Sequence, residues 1–106
     1  MKQILIIGLV VLLAGCASTI QTASISKAYK NYEAQDYEEV LELISLAENA
    51  KETPAEMKAE LTYLKAQTYE ELGRLKKATT LYEYLKEQHA SSQYGYLAIK
   101  KLEAGL

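Results

Sequence analysis

The chain has a single cysteine, Cys16, so it cannot close an intrachain disulfide. It also has a single histidine, His89, and no Cys/His cluster, which leaves no donor set with the spacing of a metal site. A nucleophilic cysteine needs a base held beside it by a rigid fold, and residue 16 has no such surroundings in the sequence. Phe and Trp are missing altogether, whereas tyrosine occurs nine times. No basic stretch is dense enough to neutralise several phosphates, which excludes a nucleic-acid-binding class. Adjacent acids such as Glu38-Glu39 and Glu70-Glu71 point to different azimuths on a helix, so they read as solvated charge and not as a catalytic pair. No constellation supports an enzyme.

What is present begins with "MKQILIIGLVVLLAGCAST". Lys2 gives a positive n-region, and residues 4–15 form an uncharged apolar run of h-region length. That run is shorter than the roughly 20 residues a transmembrane helix needs. The residues alone fit a secretory signal, either cleaved or kept as an anchor.

Leu13, Ala14 and Gly15 ahead of Cys16 resemble the lipobox of bacterial lipoproteins. The resemblance implies a signal peptide over 1–15, cleavage between Gly15 and Cys16, and acylation of Cys16, with 16–23 as lipidated N-terminus and tether. The covalent lipid is the only prosthetic group expected. Several acyl chains anchor stably, because each buried methylene contributes about 0.8 kcal/mol and a single chain is marginal. Ala17, where an aspartate would by the enteric sorting rule retain the product in the inner membrane, implies an outer-membrane address facing the periplasm.

Residues 24–106 make one small domain. Its charge is unevenly placed: acids dominate residues 31–60, opposed only by Lys51 and Lys58, and bases dominate beyond 60. Two solvated helix faces account for this asymmetry. Tyrosine joins a large ring to a hydroxyl that seeks a partner, which suits half-buried positions in thin helical layers.

Helix signals run throughout and no strand alternation persists. A first helix is expected over 24–34. Asp36 with Glu39 reads as a capping box for a second, whose apolar stripe is Tyr37, Val40, Leu41, Ile44 and Ala47. In "TPAE", Thr53 is the expected cap, Pro54 the first helical residue and Glu56 the closing acid. Met57, Leu61, Leu64, Thr68 and Leu72 form the third stripe, ending at Gly73 as the left-handed residue. A fourth helix over 75–88 carries Leu75, Ala78, Tyr82 and Leu85. Ser91 or Ser92 caps a fifth, with Tyr94, Leu97, Ala98 and Leu102 inward and Gly95 weakening its first turn by up to about 1 kcal/mol.

The two hairpins share one interval set. Ala28 is followed by Val40, Ile44 and Ala47 at spacings of 12, 4 and 3, and Ala66 by Ala78, Tyr82 and Leu85 at the same spacings. In "YLKAQTYEELGRLKKATTLYEYLKEQHASS", Ala66, Tyr69, Gly73, Leu75, Ala78 and Tyr82 resemble the signature of the tetratricopeptide repeat, a helix-turn-helix unit of about 34 residues. The first unit departs from it, with Asn31 at the aromatic position and Val40 for the alanine. The offset of 38 residues puts about four extra in the loop near Lys51 to Ala55, and His89-Ala90 replaces a terminal proline.

The resemblance implies an all-α fold of two such hairpins and a C-terminal capping helix. The family's groove-lining positions fall on Thr22, Ile25, Tyr29 and Tyr32 in unit one and on Glu60, Tyr63, Gln67 and Glu70 in unit two. These tyrosines either present a groove to a peptide or simply pack between the units. Similar repeat lipoproteins act as pilotins of secretion or pilus machinery, in outer-membrane protein assembly, or on cell-wall enzymes. A membrane-anchored scaffold for an envelope protein partner is therefore expected, with no small-molecule substrate. The alternative is a self-associating structural lipoprotein.

Overall fold

The computed structural model describes residues 21–49 and 52–106. The described residues are all-α: α1 over 21–33, α2 Tyr37–Glu48, α3 Ala55–Glu71, α4 Leu75–Gln88 and α5 Gln93–Ala104, with no strand among them. Helices α1 and α2 form one hairpin and α3 and α4 a second; α5 packs on α3 and α4.

Both hairpins turn by the same hydrogen-bonded device. At the end of α3, Gly73 lies at φ 76°, its N–H donates to the Glu70 carbonyl at 2.9 Å, and the Arg74 N–H donates to Tyr69 at 2.8 Å. At the end of α1, Gln35 lies at φ 65°, its N–H donates to Tyr32 at 3.1 Å, and the Asp36 N–H donates to Asn31 at 2.8 Å. Each is a Schellman closure, which satisfies helix-terminal carbonyls through one left-handed residue. Glycine adopts that conformation freely, whereas Gln35 carries the steric cost of a Cβ there.

The next helix of each hairpin starts two residues on, at Tyr37 and Leu75. Asp36 and Arg74 precede them with nearly equal dihedrals, φ −92°, ψ 71° and φ −89°, ψ 65°. Neither makes a side-chain cap bond. The box expected from Asp36 and Glu39 is thus not formed, because the Schellman turn fixes the backbone of Asp36 away from the extended geometry that aims a cap. The box expected from Thr53 and Glu56 is absent too. Pro54 is itself the cap residue, with α3 beginning at Ala55, and the Thr53 hydroxyl oxygen accepts the Gln21 amide at 3.3 Å. Gln21 also donates to the Ala47 carbonyl at 3.1 Å, and helix α1 includes residues 21–23, which the sequence places in the tether.

The repeat interval is obeyed by the core. Ala28 and Ala66, Val40 and Ala78, Ile44 and Tyr82, and Ala47 and Leu85 are all fully buried. They divide into two clusters. The first joins Ala28 of α1, Val40, Leu43, Ile44 and Ala47 of α2, and Leu61 and Leu64 of α3. The second joins Ala59 and Ala66 of α3, Ala78, Tyr82 and Leu85 of α4, and Ala98 of α5. At 100° per residue, Leu61 and Leu64 lie opposite Ala59 and Ala66 on α3. The single stripe read from the sequence is therefore half of what α3 buries.

Ser92 caps α5, its hydroxyl oxygen accepting the Gly95 N–H at 3.0 Å. Gly95 is buried, and a Cβ there would lie 2.0 Å from the His89 carbonyl oxygen. The missing side chain, expected only to weaken the turn, is what lets α5 fold back against the end of α4. Leu75 and Leu97, expected inward, are 46% and 38% exposed. Leu75 opens α4 beside the turn, and among the described residues no further helix covers the outer side of α5.

These two glycines predict an order of stability losses. Gly73→Ala meets open space and costs about 1 kcal/mol through its backbone alone. Gly95→Ala also meets fixed backbone and costs at least about 2 kcal/mol. Urea unfolding followed by circular dichroism measures both, and the reverse order would contradict the packing described.

Candidate functional site

One face of the molecule is built from α1, α3 and α5, and it gathers most of the groove positions read from the sequence. Tyr29 and Tyr32 come from α1, Glu60, Tyr63, Gln67 and Glu70 from α3, and Tyr94 and Lys101 from α5. The hairpin turns put α1 and α3 in equivalent places, and the Gly95 contact sets α5 alongside α3.

Glu60 sits at the centre of one end. Its carboxylate accepts the Tyr29 hydroxyl at 3.3 Å and the Tyr94 hydroxyl at 3.2 Å, linking all three helices. Glu70, one helix segment further on, accepts the hydroxyl of buried Tyr82 and pairs with the Lys101 ammonium at 3.2 Å. The Tyr63 ring lies between them. Its centroid is 5.7 Å from Tyr82, edge-on, and 5.8 Å from Tyr94, tilted. Aromatic pairs at such separations and angles add to area burial by about 0.5–1.5 kcal/mol. Tyr32 packs edge-on against Tyr37 at 5.5 Å.

The individual positions differ in what they leave free. Ile25 and Tyr32 are half-buried against the first core cluster, and Tyr63 against the second. Tyr29 is 39% exposed despite its bond to Glu60, Gln67 is half-buried, and Thr22 is exposed. Packing between units thus takes up much of Ile25, Tyr32 and Tyr63, while Tyr29 and Gln67 remain on the outer surface. Among the described residues, no buried side-chain polar atom lacks a hydrogen bond. The face is a paired surface of rings and carboxylates.

Tyr94 and Lys101 were not singled out from the sequence as part of this face. The signal that could have found Lys101 is the repeat offset, which carries Ile25 to Tyr63 and then Tyr63 to Lys101. Tyr94, expected inward, has a half-buried ring while its hydroxyl reaches Glu60. Cys16, Gly15 and the apolar run lie outside the described residues, as do Ala50 and Lys51 of the extended loop. No helix among the described residues is long and apolar enough to cross a membrane.

Burial is the main cause that raises the Tyr82 hydroxyl well above its ordinary value of 10.0, and its bond to the Glu70 carboxylate adds to it. Tyr29 is raised first by burial and then by the charge of Glu60. For Tyr63, burial raises the value while the Lys101 charge opposes it.

No family model matches the chain, and no curated protein or solved structure matches it either.

The tyrosine shifts set a pH dependence. Above pH 10 the unfolded chain releases tyrosine protons that folded Tyr82 and Tyr29 still hold, so their contribution is complete below that pH and is lost as pH rises past it. Tyr82→Phe removes one such hydroxyl, and the fall of stability with pH on the alkaline side becomes shallower than in the parent chain. Denaturation midpoints at neutral and alkaline pH measure this. An unchanged alkaline slope would refute the role assigned to the Tyr82–Glu70 pair.

Proposed function

We propose that the chain is a lipid-anchored envelope protein whose helical body, similar to a tetratricopeptide array, presents the α1–α3–α5 face to a protein partner. The observation that carries this reading is the repeat: identical core intervals, closed by the same turn, align α1 and α3 so that Tyr29, Tyr63 and Gln67 share one surface. A face crossed by half-buried rings suits a polypeptide, since aromatic anchors carry a large share of interface energy. Carboxylates fix the hydroxyls in place before a partner arrives, which lowers the ordering cost of binding. The lipobox-like "LAGC" at residues 13–16 supports acylation at Cys16 and an outer-membrane address. The body then works as a tethered scaffold or assembly accessory.

A second reading is self-association. It is favoured by Leu46 on α2 and Tyr96 on α5, which are 61% and 57% exposed at the two ends of the helical array. A stack of so few repeats leaves apolar edges that a second copy can cover.

Photocrosslinking in intact cells separates the two. A photoreactive residue at Tyr29 or Gln67 is expected to capture one envelope protein, while the same residue at Glu87, on the outer side of α4, captures none. Cys16→Ser is expected to abolish incorporation of labelled fatty acid and to reduce that capture. Adducts only with the chain itself would leave the self-associating reading. Retention of acyl label in Cys16→Ser would overturn the anchor.

A further inference from the structure

Opposite the tyrosine face, α3 forms the floor of a cleft walled along its length by α4 and the α3–α4 turn, with α2 bordering only its smaller lobe, through Glu48. Lys58, Thr62, Lys65 and Tyr69 line this floor. At 100° per residue they lie nearly half a turn from Glu60, Tyr63, Gln67 and Glu70. The cleft has two lobes, of about 840 and 310 Å³, which share Lys65 and Leu81. Helices α2 and α4 pack chiefly on α3 and not on each other, so the space between them stays open.

The lining combines cations with apolar groups. Lys65, Arg74, Lys76 and Lys77 all border the larger lobe, and no carboxylate is among its lining residues. On α2, Glu48 pairs with Lys65 at 3.6 Å and Glu38 pairs with Arg74 at 2.7 Å. Lys77 stands over the Tyr69 ring at 5.4 Å, an interaction that leaves its charge free to meet an anion. Neither Lys76 nor Lys77 has a carboxylate partner among the described residues. Leu75 and Tyr84, 46% and 43% exposed, offer apolar contacts at opposite ends of the cleft, with Leu81 between them. This basic lining belongs to a chain of net charge −2, so its sign is a local feature.

We propose that this cleft along α3 and α4 docks an acidic segment of a partner protein, one that carries large apolar side chains between its carboxylates. Carboxylates of the partner would meet Lys76 and Lys77 at the rim. Its apolar side chains would cover Leu75, Leu81 and Tyr84. Nucleic acid is disfavoured, because three unpaired lysines, Lys58, Lys76 and Lys77, neutralise too few phosphates for useful affinity. Charge at the rim gives specificity and rate of encounter, while Leu75, Leu81 and Tyr84 of α4 supply most of the burial. The proposal does not depend on the lipid anchor or on the tyrosine face.

The test uses the full chain in a non-ionic detergent and two synthetic helical peptides. Each peptide has leucines along one side; the other side carries glutamates in the first and lysines in the second. The acidic peptide is expected to bind, more weakly as salt rises, and the basic one not to bind. Lys76→Glu combined with Lys77→Glu is expected to weaken the acidic peptide about tenfold. Leu75→Ala, at an exposed position that leaves the core intact, weakens it as well, and Glu103→Gln, exposed on α5 away from the cleft, leaves it unchanged. Equal binding of the two peptides, or none, would overturn the proposal. So would two other results: lysine-dependent adsorption to phosphatidylglycerol vesicles without peptide binding, or a lysine-dependent dimer in sedimentation that excludes the peptide.

Discussion

Helix α3 must bury two opposite sides at once, and the rest of the structure is arranged around that requirement. Leu61 and Leu64 enter the core shared with α1 and α2, while Ala59 and Ala66 enter the core shared with α4 and α5. Burial of each leucine contributes roughly 1.5–3 kcal/mol. On the other side, alanines bring the backbone of α3 close to α4 and leave room for the buried Tyr82 ring. Neither hairpin has a core of its own that excludes α3.

That use of two sides leaves two others, and they differ in chemistry. On one, Glu60 and Glu70 hold the hydroxyls of Tyr29, Tyr94 and Tyr82 and the Lys101 ammonium, producing a surface of rings over paired charges. On the other, Lys58, Lys65 and Tyr69 underlie an open cleft bordered by Lys76 and Lys77. The body thus carries two chemically distinct surfaces, one aromatic with paired hydroxyls, the other an open cleft with unpaired lysines.

Much of this was legible in the sequence because the two hairpins obey the same intervals. Ala28, Val40, Ile44 and Ala47 and their counterparts Ala66, Ala78, Tyr82 and Leu85 are all buried, as a repeated helical hairpin requires. Gly73 announced its turn, whereas Gln35 did not, since only the repeat offset marks it as the equivalent left-handed residue. The capping boxes misled: the Schellman turn fixes the backbone of Asp36 outside cap geometry, and the Thr53 hydroxyl is engaged by Gln21 of α1, a tertiary contact that local patterns do not encode. Ala59 was the other blind spot. It carries little hydrophobic weight in a pattern, yet with Ala66 of the repeat it defines a whole side of α3. The close approach at Gly95 depends on the backbone of His89, which no spacing rule reveals.

The central claim is that α3 makes the two hairpins one cooperative unit, and native-state hydrogen exchange on Leu64→Ala tests it most directly. The substitution costs about 2–5 kcal/mol and touches only the first core cluster. Coupling through α3 predicts that amide protection falls in α4 and α5 by as much as in α1 and α2. Loss of protection confined to α1 and α2, with α3 to α5 exchanging as in the parent chain, would show two independent units and contradict the account.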